Sequence, residues 1–168
     1  VEHITLGFSK ENKVLRASIP GCQVFLLLAS VKYPKYQSVL PQQLPQNTEI
    51  SRTVVQRAVK RILLASDKTR ALQLKFSTDN LMLSSRTLGS SEGRENIALM
   101  GYNGPNSKLA VNGKFLTDII ANTVSEQMTL SFKDDREPVT LTPKDEIDGC
   151  QSFHVLVPIR ESDNQQAN

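Results

Sequence analysis

From about residue 47 onwards the predicted order of elements occurs twice, and this repetition limits the possible folds more than any other feature. The first copy begins near Asn47 with a strand, continues with a helix and ends with strands at 71–77, 80–86 and 95–102. The second copy has a strand at 108–112, a helix at 113–122 and strands at 127–133, 138–143 and 152–159. The sequence therefore predicts an α+β fold, a duplicated β-α-β-β-β unit with two helices packed on antiparallel sheet.

Periodicity of the apolar side chains supports each of these elements. The alternation of Leu72, Leu74 and Phe76, like that of Leu6 and Phe8 near the N-terminus, predicts half-buried strands. Ser51 is a candidate N-cap for the first helix, and the second helix is predicted to begin at Asn112. The segments SSEGREN and GYNGPNS are rich in Gly, Asn and Ser, which predicts loops between strands. One helix face is apolar at Val54, Val55, Ala58, Val59, Ile62 and Leu63.

The first 44 residues lie outside the duplication. HITLGFS, KVLRAS and CQVFLLLAS predict three successive strands, and the Pro- and Gln-rich stretch QSVLPQQLPQNTE reads as a linker. We therefore expect residues 1–44 to be the end of a preceding domain plus its linker, 45–162 to be a complete domain, and 163–168 to be a polar tail.

Composition excludes several function classes. No apolar run approaches the roughly 18 residues that a membrane-spanning helix requires, which favours a soluble, cytoplasmic protein. Cys22 and Cys150 are isolated from each other and from any His-rich spacing, so neither a metal site nor a cofactor is expected. The net charge of +3 is too small to indicate nucleic acid by itself.

Two short motifs give the sequence a family resemblance. YPKYQSVLP precedes the duplication and HVLVPIR closes it, and together with the repeated unit they resemble the bacterial DNA sliding clamp, the beta subunit of DNA polymerase III. The resemblance covers residues 1 to about 161 and implies that this chain is a C-terminal fragment. It implies a full-length, ring-shaped homodimer that encircles duplex DNA and tethers polymerases and the clamp loader, whereas the fragment is expected to be a monomer.

In the sliding-clamp family, partner proteins insert a short peptide into a hydrophobic groove between the linker and the C-terminal strand. The sequence departs from the family at Lys32 and Tyr33, at Ser38, at the β-branched Val157 and Ile159, and in the tail that begins at Glu161. For Val155 and Val157 a plain core role stays equally open. The resemblance assigns the groove to Pro34, Ser38, Val39, Asn112, Phe115, Pro138, Val155, Leu156, Val157, Pro158, Ile159 and Arg160.

Two further surfaces follow from the resemblance. Basic residues of the first helix lie opposite its apolar stripe, on the face that lines the hole of a clamp, where phosphate contacts would be nonspecific and salt-dependent. An ordinary solvated helix face is the alternative. Leu63 and Leu64 occupy the place where subunits meet, although both could be core residues. The DNA-facing residues would be Arg52, Gln56, Arg57, Lys60, Arg61 and, on the second helix, Lys114.

An enzyme is the competing interpretation. Two neighbouring loops contain carboxylates that could bind a divalent ion in a metal-dependent phosphodiesterase. No catalytic triad, phosphate-binding loop or dinucleotide fingerprint accompanies them, and Asp is also favoured in turns for its geometry alone. The sequence therefore predicts a non-catalytic protein. The five carboxylates are Asp134, Asp135, Asp145, Glu146 and Asp148.

Overall fold

The computed structural model describes residues 3–11, 13–33, 35–87, 91–145, 149 and 152–160 of the chain. The chain divides into two compact units, Val1–Ser38 and Val39–Asn168. Both α-helices of the described ranges lie in the second unit. Neither of them is long and apolar enough to cross a membrane.

The first unit is a three-stranded antiparallel meander of β1 (Thr5–Ser9), β2 (Val14–Ile19) and β3 (Cys22–Leu27). Its register pairs Phe8 with Leu15, so the apolar residues of β1 and β2 share one face. Leu6 and Phe8 on that face are 65% and 59% exposed. The predicted half-burial of β1 is therefore wrong, because no second layer of the described residues within this unit covers the face.

The second unit confirms the predicted duplication of the β-α-β-β-β order. A 3-10 turn at Leu63–Ala65 follows the first helix. The first copy consists of β4 (Gln46–Ser51), α1 (Arg52–Ile62), β5 (Ala71–Ser77), β6 (Asn80–Thr87) and β7 (Ser91–Ala98). The second consists of β8 (Ser107–Asn112), α2 (Gly113–Ala121), β9 (Gln127–Phe132), β10 (Val139–Pro143) and β11 (His154–Leu156).

The two copies exchange their first strands. One antiparallel sheet has the order β11-β10-β9-β4, so β4 of the first copy joins the strands of the second. The other sheet has the order β7-β6-β5-β8, so β8 of the second copy joins the strands of the first. We call these sheet B and sheet C. Each helix therefore connects one sheet to the other.

Side-chain caps begin both helices where the sequence predicts. The Ser51 hydroxyl accepts a hydrogen bond from the Val54 backbone N–H at 3.4 Å, and Asn112 Oδ1 accepts from the backbone N–H groups of Lys114 and Phe115. Such caps satisfy N–H groups that the first helical turn cannot pair internally. The apolar faces of α1 and α2 then pack into one core that both sheets share; its helical members are Val55, Ala58, Val59, Ile62, Leu116 and Ile120.

Two strands of the second unit differ from the sequence prediction by more than one residue. β7 begins at Ser91 rather than 95, so most of SSEGREN is an edge strand and not a loop. Its Gly93 allows close packing, because a Cβ there would lie 3.3 Å from Ala65 Cβ and 3.4 Å from Ile62 Cδ1. The last strand was predicted at 152–159 but covers only His154–Leu156, since the chain leaves the sheet before Pro158.

An aromatic cluster closes the core at one end. The Phe76 and Phe132 ring centroids are 4.7 Å apart, and those of Phe76 and Tyr102 are 5.5 Å apart. Tyr102 is buried, and its hydroxyl lies 2.6 Å from Gln46 Oε1 and 2.6 Å from the Pro105 carbonyl. Gly104 lies against this group, since a Cβ there would be 2.6 Å from the Tyr102 hydroxyl oxygen. The GYNGPNS loop is thus fixed by partly buried polar contacts to Tyr102.

Candidate functional site

The C-terminal segment joins the edges of both sheets. Leu156 in β11 pairs with Val139 in β10 and is buried, while Val155 is half-buried. The next residue, Val157, is 61% exposed. Beyond it the backbone N–H of Ile159 donates to the carbonyl of Ala110 in β8 at 2.7 Å. The segment therefore runs from the edge of sheet B to the edge of sheet C.

The start of α2 lies at this same edge. Ala110, which accepts the hydrogen bond from Ile159, comes two residues before the N-cap Asn112. Phe115 in the first turn of α2 is 57% exposed, and Pro138 directly precedes the strand that pairs with β11. We call this group the C-terminal edge; it consists of Asn112, Phe115, Pro138 and Val155 to Arg160.

The linker residues of the predicted groove divide between the two units. Pro34 lies outside the described residues. Ser38, at the end of the first unit, donates from its hydroxyl to the Lys35 carbonyl at 2.7 Å. Val39 begins the second unit and is 51% exposed. Ser38 therefore belongs to a local turn, and Val39 leaves half of its surface in solvent.

Basic residues on α1 differ in whether a carboxylate pairs with them. Arg52 is half-buried, with its Nη2 at 3.5 Å from Glu126 Oε2. Arg61 forms a two-point ion pair with Glu95 on β7, its Nε donating to Oε2 at 3.0 Å. Hydrogen bonding from Arg61 lowers the pKa of the Glu95 carboxyl. Arg57 and Lys60 are exposed and have no ion pair within the described ranges.

The remaining members of the basic set have different surroundings. Gln56 is half-buried on α1. Lys114 on α2 is exposed and pairs with Asp118 one turn later, at 2.9 Å between Nζ and Oδ2. The cationic surface that is open to a ligand on α1 is therefore centred on Arg57 and Lys60.

A second cap on α1 escaped the sequence analysis. Glu126 Oε1 accepts hydrogen bonds from the hydroxyls of Ser51 and Thr53, at 2.7 and 2.6 Å, and from the Thr53 backbone N–H. These hydrogen bonds, with a smaller contribution from the Arg52 charge, lower the pKa of the Glu126 carboxyl. A carboxylate at a helix N-terminus also interacts favourably with the positive end of the helix dipole. Glu126 comes from the second copy and so fastens α1 to it.

The two leucines after α1 have opposite environments. Leu63 is half-buried and packs against the core, where a Cβ on Gly113 would come within 2.6 Å of its Cδ2. Leu64 is 88% exposed. Both belong to the 3-10 turn that packs on β7, and among the described strands β7 pairs with β6 alone, which makes it an edge strand. An exposed leucine therefore lies close to an open strand edge.

In the two carboxylate loops, the described aspartate side chains accept hydrogen bonds from nearby backbone or hydroxyl groups. Asp134 Oδ1 accepts from the backbone N–H groups of Arg136 and Glu137 at 2.8 and 3.0 Å, and these bonds lower the pKa of Asp134. Asp145 Oδ2 accepts from the Ser125 hydroxyl at 2.8 Å. Glu146 and Asp148 lie outside the described residues. Within the described part of the chain, no three His, Cys, Asp or Glu side chains gather as metal ligands.

Two β-α-β-β-β copies that exchange their first strands around a shared core define the class of protein: this is a domain with the DNA-clamp fold. The family follows from direct comparison. The family model for the C-terminal domain of the DNA polymerase III beta subunit matches residues 37–160, and the chain belongs to that family.

Relatives with established names agree with this assignment. The beta sliding clamp of Halalkalibacterium halodurans is 26% identical over 139 residues, which cover 81% of this chain and 36% of the relative. The beta sliding clamp of Pseudomonas aeruginosa is 25% identical over 134 residues, covering 79% of this chain and 35% of the relative. The chain therefore spans about a third of the length of these relatives.

Solved structures show the same fold. The sliding clamp of Pseudomonas aeruginosa bound to griselimycin superposes with a TM-score of 0.83 at 22% identity, covering 94% of this chain and 42% of that one. The DNA polymerase III beta subunit of Thermotoga maritima gives a TM-score of 0.81 at 20% identity, covering 95% of this chain and 42% of that one. The predicted family and fold class are thereby confirmed.

Proposed function

We propose that this chain is the C-terminal part of a bacterial sliding clamp that tethers DNA polymerases and the clamp loader through a peptide-binding groove at the C-terminal edge. The observation that supports this proposal is the exposure of Phe115 and Val157 beside a firmly paired strand. Large apolar side chains held in solvent by a rigid scaffold are typical of interaction sites. The protein is non-catalytic in this proposal.

Anchoring of the C-terminal edge supports a preformed groove wall. Leu156 is buried in the core, and Ile159 is hydrogen-bonded to Ala110, so Val157 is held between two fixed points. A wall that is already ordered loses little conformational entropy when a peptide binds. The family resemblance also assigns Pro34, Ser38 and Val39 to peptide binding.

The α1 surface is the proposed DNA contact. Arg57 and Lys60 are exposed, and the buried face of the same helix packs into the core, so a duplex would meet their cationic ends directly. Phosphate contacts of this kind are nonspecific and weaken as salt rises, which suits a protein that moves along DNA. Arg52 and Arg61 would contribute less, because carboxylates already neutralise them.

Ring closure is the third part of the proposal. Leu64 beside the open edge of β7 supports a subunit interface there, since an exposed leucine and an unpaired strand edge both favour association. The whole protein would be a ring-shaped homodimer around duplex DNA. The 168-residue chain itself is expected to be a monomer with weak affinity for duplex, on the order of 10⁻⁴ to 10⁻⁶ M.

Nuclear magnetic resonance tests the groove. Titration of the isotope-labelled chain with a short Gln- and Leu-rich peptide should shift the amide resonances of Phe115, Val155, Val157, Ile159 and Arg160. A peptide with its leucines replaced by serine is the control and should leave them unchanged. Shifts confined to the α1 surface would contradict the proposal. Sedimentation velocity of the same sample checks the expected monomer.

A further inference from the structure

The sequence contains two Asn-Gly dipeptides, Asn103–Gly104 in the loop between β7 and β8 and Asn112–Gly113 at the start of α2. Asparagine is a chemically labile residue, and a following glycine makes it more so, because glycine has no Cβ to hinder attack of its backbone nitrogen on the preceding side chain. The two sites share this chemistry but differ in their surroundings. The fold therefore decides which of them reacts.

The reaction at such a dipeptide is a cyclisation followed by hydrolysis. Hydroxide removes the proton from the glycine N–H, and the nitrogen attacks the asparagine Cγ; the new N–C bond forms, the C–N bond of the carboxamide breaks, and ammonia leaves. Water then opens the cyclic imide and gives either aspartate or isoaspartate, which has one extra methylene group in the backbone. The glycine N–H must therefore be free to lose its proton, and the carboxamide must be free to turn towards it.

Asn112–Gly113 meets neither condition. The Gly113 backbone N–H donates to the Arg70 carbonyl at 2.9 Å, and Gly113 is buried in the first turn of α2. Asn112 Oδ1 accepts from the backbone N–H groups of Lys114 and Phe115 at 2.9 and 3.2 Å. Cyclisation here would require these hydrogen bonds to break and the start of α2 to unwind, so its rate is limited by local unfolding.

Asn103–Gly104 is much less protected. Asn103 is exposed, and in the described part of the chain no acceptor takes a hydrogen bond from the Gly104 backbone N–H. The Asn103 carboxamide makes two solvent-exposed bonds: Oδ1 accepts from the Asn47 backbone N–H at 2.8 Å, and Nδ2 donates to the Pro45 carbonyl at 3.3 Å. Because water can replace both partners, these bonds slow the reaction relative to an unfolded chain without preventing it.

We propose that Asn103 is a site of spontaneous conversion to aspartate and isoaspartate in the folded protein, whereas Asn112 is protected. The proposal does not depend on the proposed function. Its consequence is a weaker attachment of the start of β4, because a carboxylate cannot donate to the Pro45 carbonyl. The extra methylene group of isoaspartate would also shift Gly104, which lies against the buried Tyr102 hydroxyl.

Mass spectrometry of the aged protein tests the proposal. The folded 168-residue chain is incubated at neutral pH and digested with trypsin, which separates the two sites into residues 95–108 and 109–114. Asn103 should convert at least about tenfold faster than Asn112, as expected when the second site reacts only through local unfolding. In denaturant the two rates should be similar. Isoaspartate should be detected at position 103 with an isoaspartyl methyltransferase, and the rate should rise with pH because hydroxide removes the glycine proton.

Variants identify the residue and the consequence. Asn103→Gln keeps a carboxamide but would need a larger, less readily formed ring, so the conversion in residues 95–108 should disappear. Asn106→Gln is the matched control in the same tryptic peptide and should retain it. Asn103→Asp, which has the side chain of one product, should lower the melting temperature by about 1–4 °C, since it loses the hydrogen bond to the Pro45 carbonyl.

Four results would overturn the proposal. Equal conversion rates of Asn103 and Asn112 in the folded chain would show that the fold does not distinguish the sites. An Asn103 that stays intact while the denatured chain converts would show that its two side-chain hydrogen bonds are sufficient protection. Conversion without isoaspartate would indicate direct hydrolysis of the amide instead of cyclisation. An unchanged melting temperature in Asn103→Asp would refute the expected weakening of the start of β4.

Discussion

Replacing Phe115 by alanine gives the sharpest test of the C-terminal edge, because the size of the effect can be worked out in advance. A phenylalanine presents about 150–250 Å² of surface, and Phe115 is 57% exposed, so roughly 110 Å² is open to solvent. A groove-bound peptide that covers most of this area would remove about 90 Å² from water. At about 25 cal/mol per Å², that burial is worth about 2 kcal/mol.

The expected result is an approximately thirtyfold rise in the Kd for a Gln- and Leu-rich peptide in Phe115→Ala. Isothermal titration calorimetry measures this change directly, and the heat capacity of binding should become less negative because less apolar surface is buried. Folding stability should fall by at most about 2 kcal/mol, because the part of the side chain that is covered within the fold is smaller than the exposed part.

Phe153→Ala is the matched control. Phe153 is the same residue type and is 53% exposed, and it directly precedes β11 without belonging to the C-terminal edge. Its truncation should leave the Kd within a factor of two. Equal losses from the two variants would indicate a general effect of surface hydrophobicity, and an unchanged Kd in Phe115→Ala would refute the assignment of the groove to this end of α2.

Three further predictions concern stability and DNA. Gly104→Ala should destabilise the fold by about 1–3 kcal/mol in urea denaturation, because its Cβ would displace the buried Tyr102 hydroxyl from its hydrogen bonds. Glu126→Gln should lower the melting temperature at pH 7. Because folding lowers the pKa of Glu126, the ionised carboxylate contributes its full share of folding stability above about pH 4.3, and that share is lost as the pH falls through the folded-state pKa. The melting temperatures of wild type and variant should therefore converge in acid. Arg57→Gln with Lys60→Gln should weaken duplex binding and make the slope of log K against log salt shallower by about 1.8, with an unchanged slope refuting the proposed α1 contact.

Local features of the sequence predicted most of the second unit. The caps at Ser51 and Asn112 fixed where the helices begin, and the alternation in β5 and β9 fixed which residues face the core. β7 was the weak point, because an edge strand that contains Ser, Glu, Gly and Arg lacks the apolar alternation of an inner strand. Where β7 begins depends on packing against α1, and no local sequence pattern indicates such a non-local contact.

Non-local pairing was beyond what the sequence could indicate. Alternation shows that β4 and β8 each have an apolar face, but not that they exchange sheets. Glu126, whose carboxylate caps α1, lies 75 residues from Ser51 in the chain. The groove residues were predicted through the family resemblance, because Phe115 and Val157 are ordinary apolar residues whose exposure only the fold determines.

Strand exchange between the two copies has a consequence for synthesis on the ribosome. Ser51 at the end of β4 pairs with Gln127 at the start of β9, so about 75 further residues must be translated before β4 finds its neighbour. At about 5–20 residues per second this takes on the order of 4–15 s. Throughout that interval β4, which carries the apolar side chain of Ile50, lacks the strand β9 with which it pairs. The unpaired edge of β4 can therefore pair with another chain while the second copy is still being made.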